Sequence, residues 1–227
     1  MADLTTDDPL TGGGIPLHHA RSGASRPGKI VCVGRNYREH AKELGNEVPV
    51  EPLLFFKPAT SIIGDGDAVV LPPQSEHVEF EGEVGIVIGH TLSRASESDC
   101  AAAVRGVVAL NDVTARDLQR RDSQWARAKG FDTFCPMGNI AEGTHELGNL
   151  TVVTRVNGEE RQRASTAEMV FPIPMLLSYI SDVMTLEAGD IVATGTPAGV
   201  GRLAAGDVVE VEIVGLSKVS NSVRTRE

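Results

Sequence analysis

The sequence predicts one α+β domain, rich in strands and carrying only short helices. Three observations lead there: short β-branched runs recur along most of the chain, Gly, Asn and Asp turn signals separate them, and helical spacing is confined to brief stretches. A chain of 227 residues is long enough to bury a core without disulfide or metal staples. Residues 1–28 are rich in Gly, Ser, Pro and Asp and have no apolar period, so they read as a loosely held leader, and residues 29–227 read as a single domain.

Residues 29–33 are a β-branched run that stops at Gly34, and residues 37–44 follow as a charged helical stretch closed by Gly45. Residues 53–71 alternate apolar stretches with the turn Gly64-Asp65-Gly66-Asp67, and residues 78–88 read as one long strand. Ser96 caps a helix over residues 96–104 that ends at Gly106; residues 107–110 are a buried strand and residues 116–129 are partly helical. Residues 151–156 turn back at Asn157-Gly158, a strong hairpin signal, and Leu176, Leu177 and Ile180 place a helix over residues 174–181. Residues 186–192 (LEAGDIV) and 203–209 (LAAGDVV) echo one another as a turn followed by a strand, which suggests two similar hairpin arms.

A net charge of −10 argues against a nucleic-acid partner, which would call for clustered Lys and Arg. The apolar runs fall far short of the roughly 20 residues that cross a bilayer, so no membrane partner is expected. The first residues carry no basic region of a secretory or mitochondrial signal, and the expected compartment is the cytoplasm. Cys32, Cys100 and Cys135 share no metal-binding spacing and read as reduced thiols. His18, His19, His77, His90 and His145 likewise show no ligand spacing and read as structural or surface residues.

Glu79, Glu81 and Glu83 alternate within the strand pattern, so on one continuous strand their carboxylates emerge on the same face. At ~4 Å each pair repels by roughly 4 kcal/mol at an effective dielectric of 20 unless something positive intervenes. Spacing alone also fits a solvated outer face. Gly82 and Gly85, which leave room for close approach, and the apolar Val84, Ile86 and Ile88 argue that this strand enters a core. Asp112 follows the buried run 107–110 at a strand end, where it serves either as a third acid or as a helix cap. If Glu81, Glu83 and Asp112 converge, three oxygen ligands without His or Cys favour Mg²⁺ or Mn²⁺, on which a 2-keto acid could replace two waters.

His40 and Glu43 lie three apart in the first helical stretch and share a face, either as a water-activating pair or as an exposed charge pair. Lys129 could steady an oxyanion or be a surface lysine. Arg116 and Gln119, three apart beyond Asp112, could reach a bound anion. Thr194-Gly195-Thr196-Pro197 and Gly199 form a Gly-rich loop whose donors suit a substrate carboxylate; without a following Gly-Lys-Ser/Thr it is not a P-loop.

The ordered motifs Gly34-Arg35-Asn36-Tyr37 with His40 and Glu43, Phe55-Phe56-Lys57-Pro58, Glu81-Gly82-Glu83, Asp112-Val113-Thr114-Ala115-Arg116-Asp117 with Gln119, Lys129-Gly130-Phe131-Asp132-Thr133, and residues 194–201 together carry a resemblance. They resemble the fumarylacetoacetate hydrolase family, in its short acylpyruvate hydrolase and oxaloacetate decarboxylase branch, over residues 29–223. The resemblance implies a mixed β-roll or sandwich in a single catalytic domain, a homodimer, and a metal held by Glu81, Glu83 and Asp112, with Glu79 behind them. It implies that His40 and Glu43 handle water or a proton, that Lys129 steadies negative charge, and that Arg35, Tyr37, Arg116, Gln119 and Thr196 contact substrate.

The activity so implied is Mg²⁺- or Mn²⁺-dependent cleavage of the carbon–carbon bond of acylpyruvates such as fumarylpyruvate or acetylpyruvate, with decarboxylation of oxaloacetate through the same pyruvate enolate. Two other readings remain open. One is an isomerase or decarboxylase of 2-hydroxy-dienoates from aromatic catabolism; the other is a non-catalytic metal- or carboxylate-binding protein.

Overall fold

The computed structural model describes residues 26–43, 45 and 47–226. Most of the expected leader, with His18 and His19, and the last residue of the first helical stretch, Leu44, lie outside the described residues.

Six strands form the largest sheet, in the spatial order Ala141–Glu142, Val104–Asn111, Gly82–Ile88, Ile191–Ala193, Ile30–Gly34 and Leu53–Lys57. Only Ile30–Gly34 and Ile191–Ala193 run parallel. The strand Gly82–Ile88 is buried along its whole length, and Val31 and Val192 beside it are fully covered, as a sheet enclosed on both faces requires.

A second sheet of five strands follows the order Glu159–Ser165, Thr151–Val156, Val208–Ile213, Ser217–Thr225 and Ala68–Leu71. Here alternation is visible: Val209, Val211 and Ile213 are buried while Val208 is exposed and Glu210 and Glu212 are half-buried. Val84, Ile86 and Ala109 from the first sheet and Val152, Val211 and Val219 from the second belong to one core. The helix Ile173–Val183 adds Ile173, Leu176, Leu177 and Ile180 to it, with Pro174 pre-set for the first turn. The chain is therefore the β-rich α+β structure that the sequence predicts. Among the described residues no helix is long and apolar enough to cross a membrane.

Most local expectations hold in detail. Ser96 caps the helix Glu97–Ala102 through the amide of Asp99, and Gly45 closes the helix Arg38–Glu43 with φ +67°. Asn157 and Gly158, both at positive φ, turn Thr151–Val156 into Glu159–Ser165. The region expected to be partly helical, residues 116–129, forms two short helices, Arg116–Arg121 and Ala126–Lys129. Cys32, Cys100 and Cys135 are free and buried.

Two expectations are corrected. Residues 78–88 do not form one strand: Val78–Phe80 belongs to a small sheet with Thr114–Ala115 and Gly201–Arg202, and Gly82–Ile88 belongs to the six-stranded sheet. Glu81 stands at the hand-over, its amide donating to Asn111 Oδ1 at 3.0 Å and its carbonyl accepting from the Asp112 amide at 2.8 Å. The echoing segments are not hairpin arms either, since Ile191–Ala193 and Val208–Ile213 lie in different sheets. What they share is the turn. Asp190 accepts from the Glu187 amide and Asp207 from the Ala204 amide, at 2.8 and 2.7 Å, with Gly189 and Gly206 at positive φ. Gly64 and Asp67 repeat the same device at 2.9 Å.

Candidate active site

The hand-over at Glu81 builds the site. Because the chain changes sheets there, Glu79 turns onto His77 and Arg116, while Glu81 and Glu83 open into a pocket shared with Asp112. Asp112 arrives at the end of Val104–Asn111, the antiparallel neighbour of Gly82–Ile88. One ligand atom from each of Glu81, Glu83 and Asp112 lies within 4.8 Å of the others, and all three residues are buried. Gly82 makes this approach possible, since a Cβ there would strike the Thr154 hydroxyl of the five-stranded sheet.

Three cations offset the acids. Lys129 Nζ donates to Glu81 Oε2 and to Asp112 Oδ2, each at 2.6 Å, and sits 4.9 Å from the centre of the Phe55 ring. Arg116 reaches Glu79 at 2.7 Å, Glu81 at 2.5 Å and Gln119 at 2.5 Å. Lys57, which the sequence reading assigned no role, lies fully buried behind the site and donates to Asp112 Oδ1 at 2.6 Å.

Burial alone would raise the pKa of Glu81, but Lys129 and Arg116 overturn it and hold the carboxyl well below its ordinary value. Burial likewise disfavours the charged forms of Lys129 and Arg116, and the acids beside them reverse that and raise both. Glu83 is the exception. Burial, then Asp112 and Glu81, push its pKa well above the usual range; it has no ion-pair partner among the described residues, and its carboxylate accepts from the Gly195 amide at 2.8 Å. An all-carboxylate set with one member short of positive charge fits a hard divalent cation such as Mg²⁺ or Mn²⁺, and contains no soft ligand that would favour zinc.

His40 and Glu43 meet as their spacing predicts, His40 Nδ1 lying 3.4 Å from Glu43 Oε2. Burial lowers the His40 pKa below 6.5, with Glu81 pulling the other way, so the neutral imidazole prevails at neutral pH. With Nδ1 turned to Glu43, Nε2 is the nitrogen free to act as a base.

The pocket encloses about 280 Å³. It brings together Arg35, His40, Arg116, Gln119, Lys129 and Thr196 with the three acids, and Phe55 and Trp125 wall it with an edge-to-face contact at 5.3 Å. Tyr37 is not among its walls: the ring joins the main core and the buried hydroxyl has no partner among the described residues.

The Gly-rich loop, from which Thr196 lines the pocket, spends several of its donors within the protein. The Gly195 amide is taken by Glu83, the Gly199 amide by Glu43, and the Thr194 and Thr196 hydroxyls donate to the carbonyls of Val84 and Gly82. The loop therefore fixes the protein's own acids and strands. Gln162 locks it from below, donating to Thr196 Oγ1 and to the Pro197 carbonyl, both at 2.8 Å, and accepting from the Gly82 amide at 3.0 Å. Sequence reasoning missed Gln162, whose only signal is an uncharged side chain inside the charged run of residues 159–163.

The chain is 48% identical over 196 residues to an uncharacterized protein of Archaeoglobus fulgidus, covering 86% of this chain and 78% of that one. It is 42% identical over 212 residues to the oxaloacetate tautomerase YisK of Bacillus subtilis, covering 87% and 70%. The crystal structure of a 5-carboxymethyl-2-hydroxymuconate delta-isomerase from Mycobacterium smegmatis superposes with a TM-score of 0.82 at 40% identity, covering 89% and 80%. Residues 29–224 match the model described as fumarylacetoacetate (FAA) hydrolase C-terminal, and the chain belongs to that family of enzymes.

Proposed function

We propose that this chain moves a proton at the carbon beside the keto group of a small 2-keto acid, with Mg²⁺ or Mn²⁺ held by Glu81, Glu83 and Asp112. The observation that carries the reading is the convergence of this buried triad with His40 in one pocket of about 280 Å³. When bound there, the ion supplies a Lewis acid that draws electron density from the keto oxygen and so acidifies the neighbouring C–H.

Neutral His40, oriented through Glu43, accepts that proton at Nε2. The C3–H electron pair becomes the C2–C3 double bond, and the keto oxygen takes a proton from solvent to give the enol; the reverse sequence restores the keto form. Lys129 and Arg116 keep Glu81 ionised throughout, and Gln119, whose carbonyl is held by Arg116, has its amide NH₂ left to donate to substrate. The walls of Phe55 and Trp125 limit water around the reacting carbon. One relative named for tautomerising oxaloacetate and one named as a delta-isomerase support a reaction centred on proton transfer.

Hydrolysis of an acylpyruvate is the second reading, favoured by one observation: although the His40 side chain is only 5% exposed, that of its partner Glu43 is 35% exposed, so water reaches the carboxylate that orients the imidazole. Water would lose a proton to His40 and attack the distal carbonyl, and the C3–C4 bond would break with its electrons and a proton ending on C3. In oxaloacetate the same bond would break with loss of CO₂.

Decay of the oxaloacetate enol absorbance, and pyruvate release from acetylpyruvate, measured with Mg²⁺ or Mn²⁺, test both readings. Acceleration that disappears with chelator and in Glu81→Ala is expected. Unchanged rates for both substrates with metal present would refute the proposal.

A further inference from the structure

We infer that Gln162, which does not line the pocket, is a positioning residue for the metal acids: its carboxamide fixes the Gly82 peptide and so sets the spread between Glu81 and Glu83. The inference rests on the reading of the triad as a metal site and deepens it.

Gly82 has no side chain to hold it, and the acids on either side point where its backbone sends them. The neighbouring strand gives no help. Ile191–Ala193 pairs with Gly82–Ile88 only as far as Ala193 opposite Gly85, so on that side Gly82 lies past the end of the ladder. Side chains stand in for the strand: the Gly82 amide donates to Gln162 Oε1 at 3.0 Å, and the Gly82 carbonyl accepts from the Thr196 hydroxyl at 2.9 Å.

These bonds close into a ring of fixed polarity, because Gln162 Nε2 donates to Thr196 Oγ1 and to the Pro197 carbonyl, both at 2.8 Å. A backbone amide only donates and a carbonyl only accepts. Turning the carboxamide over would therefore set donor against donor at Gly82 and acceptor against acceptor at Pro197. Gln162 is 1% exposed, so bulk water cannot replace a lost partner.

The way Gln162 comes to point inward is an independent observation. Thr154 faces Gln162 but Arg155 faces Glu160, so Arg161 is one residue too many in the strand Glu159–Ser165. Such a bulge re-aims the side chains beside it. Gly199 seats on the bulge, since a Cβ there would lie 2.1 Å from the Arg161 carbonyl oxygen. The distorted strand and the loop that carries Thr196 and Pro197 are thus fitted to one another.

Mn²⁺ titration of the full chain, followed by electron paramagnetic resonance, tests the assignment. Gln162→Met keeps the side-chain length and removes the ring; it should weaken Mn²⁺ binding by at least about tenfold, the scale for groups that support a metal ligand, and alter the line shape of the bound ion. Val219→Ala, in the core and outside the pocket, is the control: it should lower the melting temperature and leave Mn²⁺ affinity unchanged. Unchanged affinity in Gln162→Met, or an equal loss in Val219→Ala, overturns this inference and leaves the metal site standing. Should Gln162→Met fail to fold, hydrogen exchange in wild type decides: the Gly82 amide should be as protected as the centre of its strand, and exchange at the rate of an exposed amide overturns the assignment. Absence of Mn²⁺ binding in wild type overturns it together with the proposed metal site.

Discussion

Lys57 and Asp112 form an ion pair of 2.6 Å in which neither side chain is more than 1% exposed. Lys57 spends its other protons on the carbonyls of Lys129 and Val113, so every donor is matched. Lys57→Met strips the buried Asp112 Oδ1 of its cation and leaves the carboxylate only Lys129 on Oδ2, at a cost of up to about 3–5 kcal/mol. Urea denaturation should show that loss, and Lys57→Met combined with Asp112→Asn should recover part of it. A single variant as stable as wild type would contradict the pairing.

Metal binding should depend on three acids and not four. In Mn²⁺ titrations followed by electron paramagnetic resonance, Glu83→Gln and Asp112→Asn should each weaken binding by at least about tenfold, by analogy with the loss of groups that support a metal ligand. Glu79→Gln should do much less, because Glu79 is turned onto His77 and Arg116. Equal loss for Glu79 would enlarge the ligand set.

The pH dependence follows His40. Burial lowers its pKa below 6.5, so the acid limb of kcat/KM should have its midpoint under that value. His40→Gln should remove the limb and cut the rate by about 10²–10⁴. Linkage gives the stability sign: the unfolded chain takes up this proton near 6.5 and the folded chain only at lower pH. The contribution of neutral His40 is thus complete above 6.5 and is lost as pH falls through the folded value. Urea midpoints of wild type and His40→Gln, compared across that window, should converge or cross as acid is added.

Gly82→Ala should destabilise by about 1–3 kcal/mol, the usual range for overpacking. Its new methyl meets the Thr154 hydroxyl, which has no hydrogen-bond partner among the described residues. Adding Thr154→Ala should therefore restore much of the stability, and thermal melts of the single and double variants would show whether it does.

Trp125 is the sole tryptophan and walls the pocket against Phe55. Its emission should shift when oxalate is added with Mg²⁺ and stay unchanged with oxalate in chelator. An identical response under both conditions would separate the anion site from the triad.

The extent to which all this was legible in the sequence differs by layer. Turn chemistry and short apolar runs located the elements, because Asn157-Gly158 and the Ser96 cap act locally. The acids of the triad were recognisable from alternation and from their motifs. The break at Glu81 was not, because Val78–Phe80 and Gly82–Ile88 have the same period and differ only in the strands they pair with. Lys57 and Gln162 were hidden for a related reason: a buried lysine or glutamine is disclosed by its distant partners, Asp112 and Thr196, and not by its neighbours in the chain.

The change of sheets at Glu81 has a consequence for how function is lost. Sliding Gly82–Ile88 by one residue against Val104–Asn111 would turn Glu83 to the opposite side and strand it in hydrocarbon. The pocket has no half-assembled version: the carboxylates gather only when two separately paired ribbons are in step. Any lesion that lets those ribbons slip, however remote from the ligands, should silence the protein without touching a single coordinating atom.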